Sequence, residues 1–378
     1  MNEPPDVRGL LGKAYDEFAL EDPFNGHLVE GFIGRTEGDA YGALIITRVN
    51  GHETSAQLIL ATPKVAYPFD HAGTWHFPAA QKILAYEKLD GTNVFGYVYR
   101  DHREESFITW KPRLRPFLAN GRWGPFLDLW REMLKTYPDL PLAVQGGGAS
   151  FELYGSRNLH LIQYEAPLDI ALLFVRRGDG GILPPESAGW VPVTVPRAAL
   201  HGTVTKDYVG SYQEQQALLS RGLRRHDDGT FSGAEGLVWY LLDEGGRWHL
   251  FKLKPEEIEA IHWAEGRHIS RESIKTTALN LLESSDELSV DGVKELLLEE
   301  FSAEEVGGAD ELIIRVVRDV AEELEFKEGV MLLYKELAVP YSEGTKAQIL
   351  RSLSRHFPGR EMKRVYAVLS REVGQSPP

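Results

Sequence analysis

One lysine lies beside a predicted turn in a position that suits it for chemistry. Lys88 comes two residues before the pair Asp90-Gly91, and a Thr-Asn pair follows. Residues 83–86 before it are apolar and residues 94–99 after it are rich in β-forming types, so the pattern predicts strand, turn and strand, as in a hairpin. Lys88 would then lie where the first strand ends, with its amine pointing into whatever the sheet encloses. A surface hairpin with an incidental lysine would give the same local pattern.

Other charged residues stand at the edges of apolar, strand-like segments further along the chain. Glu152 follows Lys88 by 64 residues, and Glu235 follows Glu152 by 83 residues. Lys252 and Lys254 come next, and because side chains alternate along a strand they should point to one face. Burying such charges without mutual pairing would cost several kcal/mol each. Together they predict a polar cleft on one face of a sheet.

The elements that must position these residues change type along the chain. We expect a loosely ordered start with some helix over residues 1–25, and then strands separated by Gly and Pro. A helix is expected over residues 126–137. Beyond about Gly266, apolar residues recur with a helical period and strand patterns nearly vanish. We therefore predict an α+β protein in three parts: a β-rich extension (1–65), a catalytic domain (66–265) and an all-helical C-terminal domain (266–378).

Composition excludes several classes of protein. The chain has 378 residues, which at roughly 100–200 residues per domain suggests two or three domains. It contains no cysteine, so disulfides and thiolate metal sites are excluded and a metal would need oxygen or imidazole ligands. Neither a membrane-length apolar segment nor a signal peptide is recognisable, and we expect a cytoplasmic protein with no membrane partner.

Charge is distributed unevenly. The formal net charge of −15 argues against a non-specific nucleic-acid binder. Basic residues nevertheless dominate residues 346–371, inside this acidic protein. That basic segment could be a solvated face, a dimer surface or a track for RNA.

Five segments, in order, resemble the motifs of the covalent nucleotidyltransferases, and within them the ATP-dependent RNA ligases. They are Glu87-Lys88-Leu89-Asp90-Gly91-Thr92-Asn93, Phe151-Glu152-Leu153-Tyr154-Gly155, Leu168-Asp169-Ile170, Glu235-Gly236-Leu237-Val238 and Lys252-Leu253-Lys254. The Thr-Asn pair after Asp-Gly resembles RNA ligases, since DNA ligases and capping enzymes more often carry an arginine there. The helical C-terminal segment is similar to that of archaeal homodimeric RNA ligases. The resemblance implies an ATP-grasp-like ligase domain with antiparallel sheets.

The resemblance also implies roles for the charged residues. Lys88 would be the nucleophile that attacks the α-phosphorus of ATP. Nearby cations and desolvation depress the pKa of a lysine, and Lys252, Lys254 and a metal ion could supply that field. The same two lysines would neutralise phosphate charge and orient the leaving pyrophosphate, and so count as catalytic. Magnesium or manganese would be held, directly or through water, by Asp90, Glu152 and Glu235.

The implied ATP site includes further residues. Glu152 would instead or also meet the ribose hydroxyls. Arg113 is the predicted arginine that contacts the ribose or the RNA end, with Arg100 as the alternative. The usual adenine-stacking position holds Leu168 here, so Phe174 or Tyr164 are alternatives. The predicted ATP-binding set is Glu87, Lys88, Asp90, Gly91, Asn93, Arg113, Glu152, Phe174, Glu235, Lys252 and Lys254.

The function that the resemblance implies is the joining of RNA 5′-phosphate and 3′-hydroxyl ends through a lysyl-adenylate and an RNA-adenylate. RNA would contact Lys111, Arg113, Arg115 and the basic C-terminal helices, and binding would be salt-sensitive. A homodimer would form through residues 266–378, because broad apolar helix faces need cover. The alternatives are a capping-type guanylyltransferase, a DNA ligase, or a catalytically silent nucleotide- or RNA-binding module.

Overall fold

The computed structural model describes residues 6–36, 38–70, 73–121, 124–158, 160–188, 193–198, 207–226, 230–258, 269–284, 287–298 and 301–373. The chain divides into two compact units, residues 1–260 with 283–285, and residues 261–282 with 286–378. The first unit holds antiparallel sheets and the second is helical in its described residues. The predicted α+β class with antiparallel sheets and a helical C-terminal region is thereby confirmed. The division into three domains stays a prediction.

An N-terminal sheet follows the short helix α1 (Val7–Leu11). Its four strands pair antiparallel in chain order: β1 (Tyr15–Glu21), β2 (Leu28–Gly34), β3 (Leu44–Val49) and β4 (His52–Ile59). The expected loose start with some helix holds for α1 but is wrong for β1. This strand lies at the edge of the sheet, most of its side chains are exposed and three of its seven residues are acidic, so it lacks the apolar alternation that predicts a strand.

A five-stranded antiparallel sheet forms the centre of the first unit. Its order is β10-β9-β8-β6-β7. The strands are β6 (Thr92–Arg100), β7 (Ser106–Lys111), β8 (Gly148–Tyr154), β9 (Asp169–Arg176) and β10 (Ile182–Leu183). Helix α2 (Phe126–Thr136) confirms the predicted helix and packs its apolar face on one side of this sheet, where Trp130 meets Trp110 and Phe151.

Two other sheets pack on the opposite side of the five-stranded sheet, each over a different strand. The N-terminal sheet packs on β6 through a cluster that includes Val29, Ile46 and Tyr97. A separate three-stranded sheet, in the order β14-β13-β5, packs on β9. Its strands are β5 (Ala80–Lys88), β13 (Gly236–Asp243) and β14 (Trp248–Leu253).

The predicted hairpin around Asp90-Gly91 is wrong, although both of its strands exist. Strand β5 pairs with β13, while β6 pairs with β7 and β8. Leu84 and Tyr86 of β5 pack against β9 in the layer between the sheets, so the two strands lie in different sheets. The Asp-Gly turn therefore carries the chain from one sheet to the other, and Lys88 lies at that crossing.

Shorter elements complete the first unit. They are the 3-10 segments Leu140–Val144, Ser156–Asn158 and Pro185–Ala188, helix α3 (Tyr208–Gly222) and the two-residue strands β11 (Arg224–Arg225) and β12 (Phe231–Ser232). Trp239 of β13 is fully buried and donates through Nε1 to Gln215 of α3, so this helix is fixed to the three-stranded sheet.

The C-terminal part of the chain is helical. Its helices are α4 (Arg271–Ser284), α5 (Val290–Leu297), α6 (Ala303–Gly308), α7 (Asp310–Leu337), α8 (Glu343–Leu353) and α9 (Met362–Glu372). Val330 of α7, Ile349 and Leu353 of α8, and Val365 and Leu369 of α9 form one buried hydrophobic cluster in it. A capping box between Ser302 and Glu305 fixes the start of α6. None of the helices in the described ranges is long and apolar enough to cross a bilayer.

Candidate active site

Three strand ends bring a carboxylate and two lysines together. Lys88 is the last residue of β5, and it lies opposite Gly236 at the start of β13. Glu235 therefore stands beside Lys88, and the pairing of Leu237 with Leu253 brings Lys254 to the same place. The Lys88 amine Nζ donates to Glu235 Oε2 at 2.6 Å, and Lys254 Nζ lies 3.0 Å from Glu235 Oε1.

Burial and mutual pairing act in opposite directions on the charge of Glu235 in this trio. The side chain of Glu235 is 5% exposed, that of Lys254 is 9% exposed, and Lys88 is more open at 26%. Burial alone would raise the pKa of Glu235, but the positive charges of Lys88 and Lys254 outweigh it and lower the pKa to about 2. Glu235 is therefore a carboxylate at any ordinary pH. Of the three side chains, Lys88 offers the most surface to an incoming ligand.

Lys252 lies nearby on β14 and contacts an aromatic ring. Its Nζ is 4.3 Å from the ring centroid of Tyr67, a cation–π contact, and the residue is buried. Sequence reasoning did not single out Tyr67, which lies in a Pro-containing segment before β5. Lys252 and Lys254 thus add two buried ammonium groups close to the end of β14.

The turn after Lys88 is fixed by its backbone contacts. Asp90 Oδ2 accepts hydrogen bonds from the amides of Leu161 and Ile162 at 2.5 and 2.6 Å, and the Asp90 amide donates to the Tyr164 hydroxyl at 2.7 Å. Burial, and secondarily the charge of Glu235, raise the pKa of Asp90. A Cβ on Gly91 would lie 2.2 Å from the carbonyl oxygen of Leu153, so only glycine fits at that position. This turn is held in place over the end of β8.

Glu152 lies directly across from Asn93 on the neighbouring strand. The side-chain amide nitrogen Nδ2 of Asn93 donates to the Ser150 hydroxyl at 2.9 Å and to the Phe151 carbonyl at 3.1 Å. Burial raises the pKa of Glu152 to about 8; Lys88 partly offsets this effect, and the carboxylates of Glu235 and Asp90 add to it. These mutual effects place Glu152, Asp90, Glu235 and Lys88 in one electrostatic neighbourhood.

The three predicted metal ligands differ in what they can offer a cation. Asp90 accepts from two backbone amides and Glu235 is paired with two lysines, whereas Glu152 is a buried acid whose ionised form lacks sufficient positive charge nearby. A divalent cation would supply that charge, so Glu152 fits the role. In the part of the chain that the structure describes, no group of three or more His, Asp or Glu residues is arranged as a metal site. The three-carboxylate metal site stays a prediction.

The remaining predicted ATP-binding residues lie in different parts of the first unit. Glu87 pairs with Leu237 within the three-stranded sheet, and burial raises its pKa. Phe174 is buried in the layer between the two sheets, beside Tyr86 and Tyr240. Arg113 follows β7, and its carbonyl accepts from Lys111. A Cβ on Gly42 would lie 2.2 Å from the same carbonyl oxygen, so the backbone of Arg113 packs against the N-terminal part of the unit.

The structure distinguishes the two alternative ATP-site residues Tyr164, for stacking on adenine, and Arg100, for contacting the ribose or the RNA end. Tyr164 reaches the turn after Lys88 through its hydroxyl, so it is the aromatic residue with a direct contact to that turn. Arg100 is the last residue of β6, whereas the turn precedes the first residue of that strand. Eight residues of strand place Arg100 roughly 26 Å away.

One predicted RNA contact is wrong. Lys111 is fully buried, and its ammonium donates to three backbone carbonyls, those of Gly42, Pro112 and Arg113, at 3.0, 2.9 and 2.7 Å. Burial, with a smaller effect of Arg113 and Arg35, lowers its pKa well below the usual range. Lys111 ties β7 to the N-terminal sheet and cannot reach a nucleic acid.

Comparison with solved structures finds ligases. Two structures described as form 2 and form 1 of an archaeal ATP-dependent RNA ligase share 15% and 16% sequence identity, with TM-scores of 0.44 and 0.41. They match 82% and 90% of this chain, and 86% and 84% of their own. A candidate ATP-dependent DNA ligase from Aquifex aeolicus shares 14% identity over 91% of this chain and 85% of its own, with a TM-score of 0.42.

No protein-family model matches the sequence, and no curated protein sequence matches it either. With identities of at most 16% and TM-scores of at most 0.44, these likenesses decide neither the activity nor the substrate of this chain.

Proposed function

We propose that this protein is an ATP-dependent RNA ligase that works through a lysyl-adenylate on Lys88. The observation that carries the proposal is the contact of the partly exposed Lys88 amine with Glu235, which also pairs with Lys254, at the crossing between two sheets. A lone lysine nucleophile flanked by cations is what transfer of an anionic nucleotide requires.

The first step would use the trio as follows. The Lys88 nitrogen attacks the α-phosphorus of ATP; the N–P bond forms, the bond to the bridging oxygen breaks, and pyrophosphate leaves with that electron pair. Because the attacking amine must be neutral, its proton has to leave first, and Glu235 Oε2 is the group in contact with it. Phosphates that bind Lys254 would draw its charge away from Glu235 and so raise the pKa of that carboxylate, which would let Glu235 take the proton from Lys88.

A divalent metal would add positive charge on the phosphate oxygens when bound. Glu152 would hold it, with Asp90 and Glu235 contributing through water. The adenine would stack on Tyr164 or Phe174, and Glu87, Gly91, Asn93 and Arg113 complete the proposed ATP site.

The later steps would pass AMP to an RNA 5′-phosphate and then release it when a 3′-hydroxyl attacks. RNA is proposed rather than DNA on the Thr-Asn pair after the Asp-Gly turn. Both residues are held by contacts beside the turn: Thr92 Oγ1 lies 3.4 Å from Asn158 Oδ1, and the Asn93 side-chain amide donates to Ser150 and Phe151 of β8.

Radiolabelling tests the nucleophile. With [α-³²P]ATP and magnesium, the protein should gain a label that Lys88→Ala abolishes. Lys82→Ala is the matched control, since Lys82 is exposed on the same strand and should label normally. Full labelling of Lys88→Ala would contradict the assignment. Label from GTP instead of ATP would favour the guanylyltransferase. No label from either nucleotide would favour a silent binding module. Sealing of nicked DNA but not of RNA would favour a DNA ligase.

We also propose a homodimer through residues 266–378. On α7, Ile314 and Leu332 are 51% and 61% exposed, and they are large apolar residues that a partner chain would cover in such a dimer. Sedimentation at micromolar concentration should give twice the chain mass of 42.4 kDa. A single species at the chain mass would contradict the dimer.

A further inference from the structure

A cavity lined by both polar and apolar groups lies in the first unit, away from Lys88. It measures about 630 Å³ and is open to solvent, between β4 of the N-terminal sheet and the start of β8 in the five-stranded sheet. Gly148 lines it, and four residues of β8 separate Gly148 from Glu152, or about 13 Å. The volume is within the range of small-molecule sites.

Three arginines line this cavity, at the ends of two strands and in the following turn. They are Arg100, Arg176 and Arg177. Each is paired with an acid: Arg100 with Glu104 at 3.3 Å, Arg176 with Asp39 at 3.0 Å, and Arg177 with Asp179. The side chains of these acids are all more than half exposed. Arg100 and Arg177 are exposed as well, and exposed ion pairs contribute little, so an anion could displace the acids from these two arginines.

Arg176 gives the cavity a buried cation. Its side chain is 3% exposed, one of its terminal nitrogens donates to the Ala61 carbonyl, and its Nε is buried with no hydrogen-bond partner. Keeping a guanidinium buried and incompletely satisfied is costly in folding free energy. Such a group at the wall of an open cavity indicates a ligand of opposite charge.

A run of three glycines removes side chains from the same wall. Gly147 has φ +148°, and a Cβ there would lie 2.4 Å from the Arg176 carbonyl oxygen. A Cβ on Gly146, by contrast, meets nothing within 4 Å and would point into open space. The rest of the lining includes apolar groups such as Leu58 and Tyr97, which could cover a sugar or a base.

We propose that this cavity binds a phosphate ester of nucleotide size, with the phosphate on the arginines and the sugar or base on the apolar wall. This second site is independent of the chemistry at Lys88. The phosphate could come from a free nucleotide or from the end of a nucleic-acid strand, since both present the same group to arginine.

Calorimetric titration with AMP tests the proposal, because the number of bound ligands separates the two sites. With both sites working, the full-length protein should bind two AMP per chain, and Gly146→Glu, which places a carboxylate in the cavity, should bind one. Arg177→Gln should weaken the second site by roughly tenfold. Arg247→Gln, at an exposed arginine outside the cavity, is the matched control and should bind as the unmodified protein does.

The outcomes also separate this proposal from the ligase function. One AMP per chain that Gly146→Glu eliminates would support the cavity and count against the Lys88 site. One or two AMP per chain, unchanged in Gly146→Glu and Arg177→Gln, would overturn the cavity proposal and leave the Lys88 site standing, and no AMP binding would overturn it also. A 5′-phosphorylated RNA decamer that binds the cavity more tightly than AMP would identify a strand end as the source; the reverse order would identify a free nucleotide.

Discussion

The buried acid Glu152 gives the sharpest test of the electrostatics of the site. Its pKa is 4.5 without the protein environment and about 8 in the folded state, mainly because of burial. An acid whose pKa is raised by folding is harder to ionise in the folded state, so the protein loses stability as pH rises from about 4.5 to about 8. A difference of about 3.5 between the two pKa values corresponds to an upper limit of about 5 kcal/mol.

Glu152→Gln removes this penalty because glutamine carries no charge. The free energy of unfolding of the variant should match that of the unmodified protein near pH 4 and exceed it progressively up to pH 9. Urea unfolding followed by tryptophan fluorescence measures this, since Trp110 and Trp130 pack on Phe151 beside Glu152.

The control is Glu104→Gln, whose side chain is 63% exposed and should show no such trend. A difference between Glu152→Gln and the unmodified protein that stays flat from pH 4 to pH 9 would refute the reasoning. Magnesium should stabilise the unmodified protein at pH 9 more than it stabilises Glu152→Gln, because the ionised acid is the group that a cation would pair with.

Three further substitutions follow from the contacts of the first unit. Glu235→Gln leaves Lys88 and the buried Lys254 without a counter-charge and should lower the free energy of unfolding by about 3 kcal/mol near neutral pH. The pKa of Glu235 is about 2 in the folded state and 4.5 without the protein environment, so in urea unfolding this difference between variant and unmodified protein should close as pH falls from 4.5 towards 2. A difference that is independent of pH would contradict the ion pairs. Gly91→Ala forces a Cβ onto the Leu153 carbonyl and should slow AMP transfer to protein about 100-fold by moving the turn, whereas Gly307→Ala, in open space, should have no effect. Lys111→Ala leaves three backbone carbonyls without their donor and should lower the free energy of unfolding by about 3 kcal/mol. The folded variant should bind RNA as tightly as the unmodified protein does, and weaker binding would show that Lys111 is an RNA contact after all.

Much of the site could be predicted because its charged residues mark the ends of apolar strands. Lys88, Glu235 and Lys254 each adjoin an apolar run, and the pairing of β5, β13 and β14 brings those ends together. The α+β class and the helix over residues 126–137 could be predicted from the spacing at which apolar residues recur along the chain.

Pairing partners could not be predicted from local pattern. The Asp-Gly turn has the composition of a hairpin turn, but burial of Leu84 and Tyr86 between two sheets decides that β5 pairs with β13. Lys111 looks like a surface cation in the sequence, and only the fold shows the three carbonyls that surround it. The amides of Leu161 and Ile162 carry no sequence signal at all, since backbone groups are common to every residue.

Intact-mass spectrometry after incubation with ATP and magnesium, followed by peptide mapping, tests the central claim most directly. The account predicts a single added AMP on the peptide that contains Lys88, absent in Lys88→Ala. No adduct with ATP, or an adduct mapped to a different lysine, would contradict it.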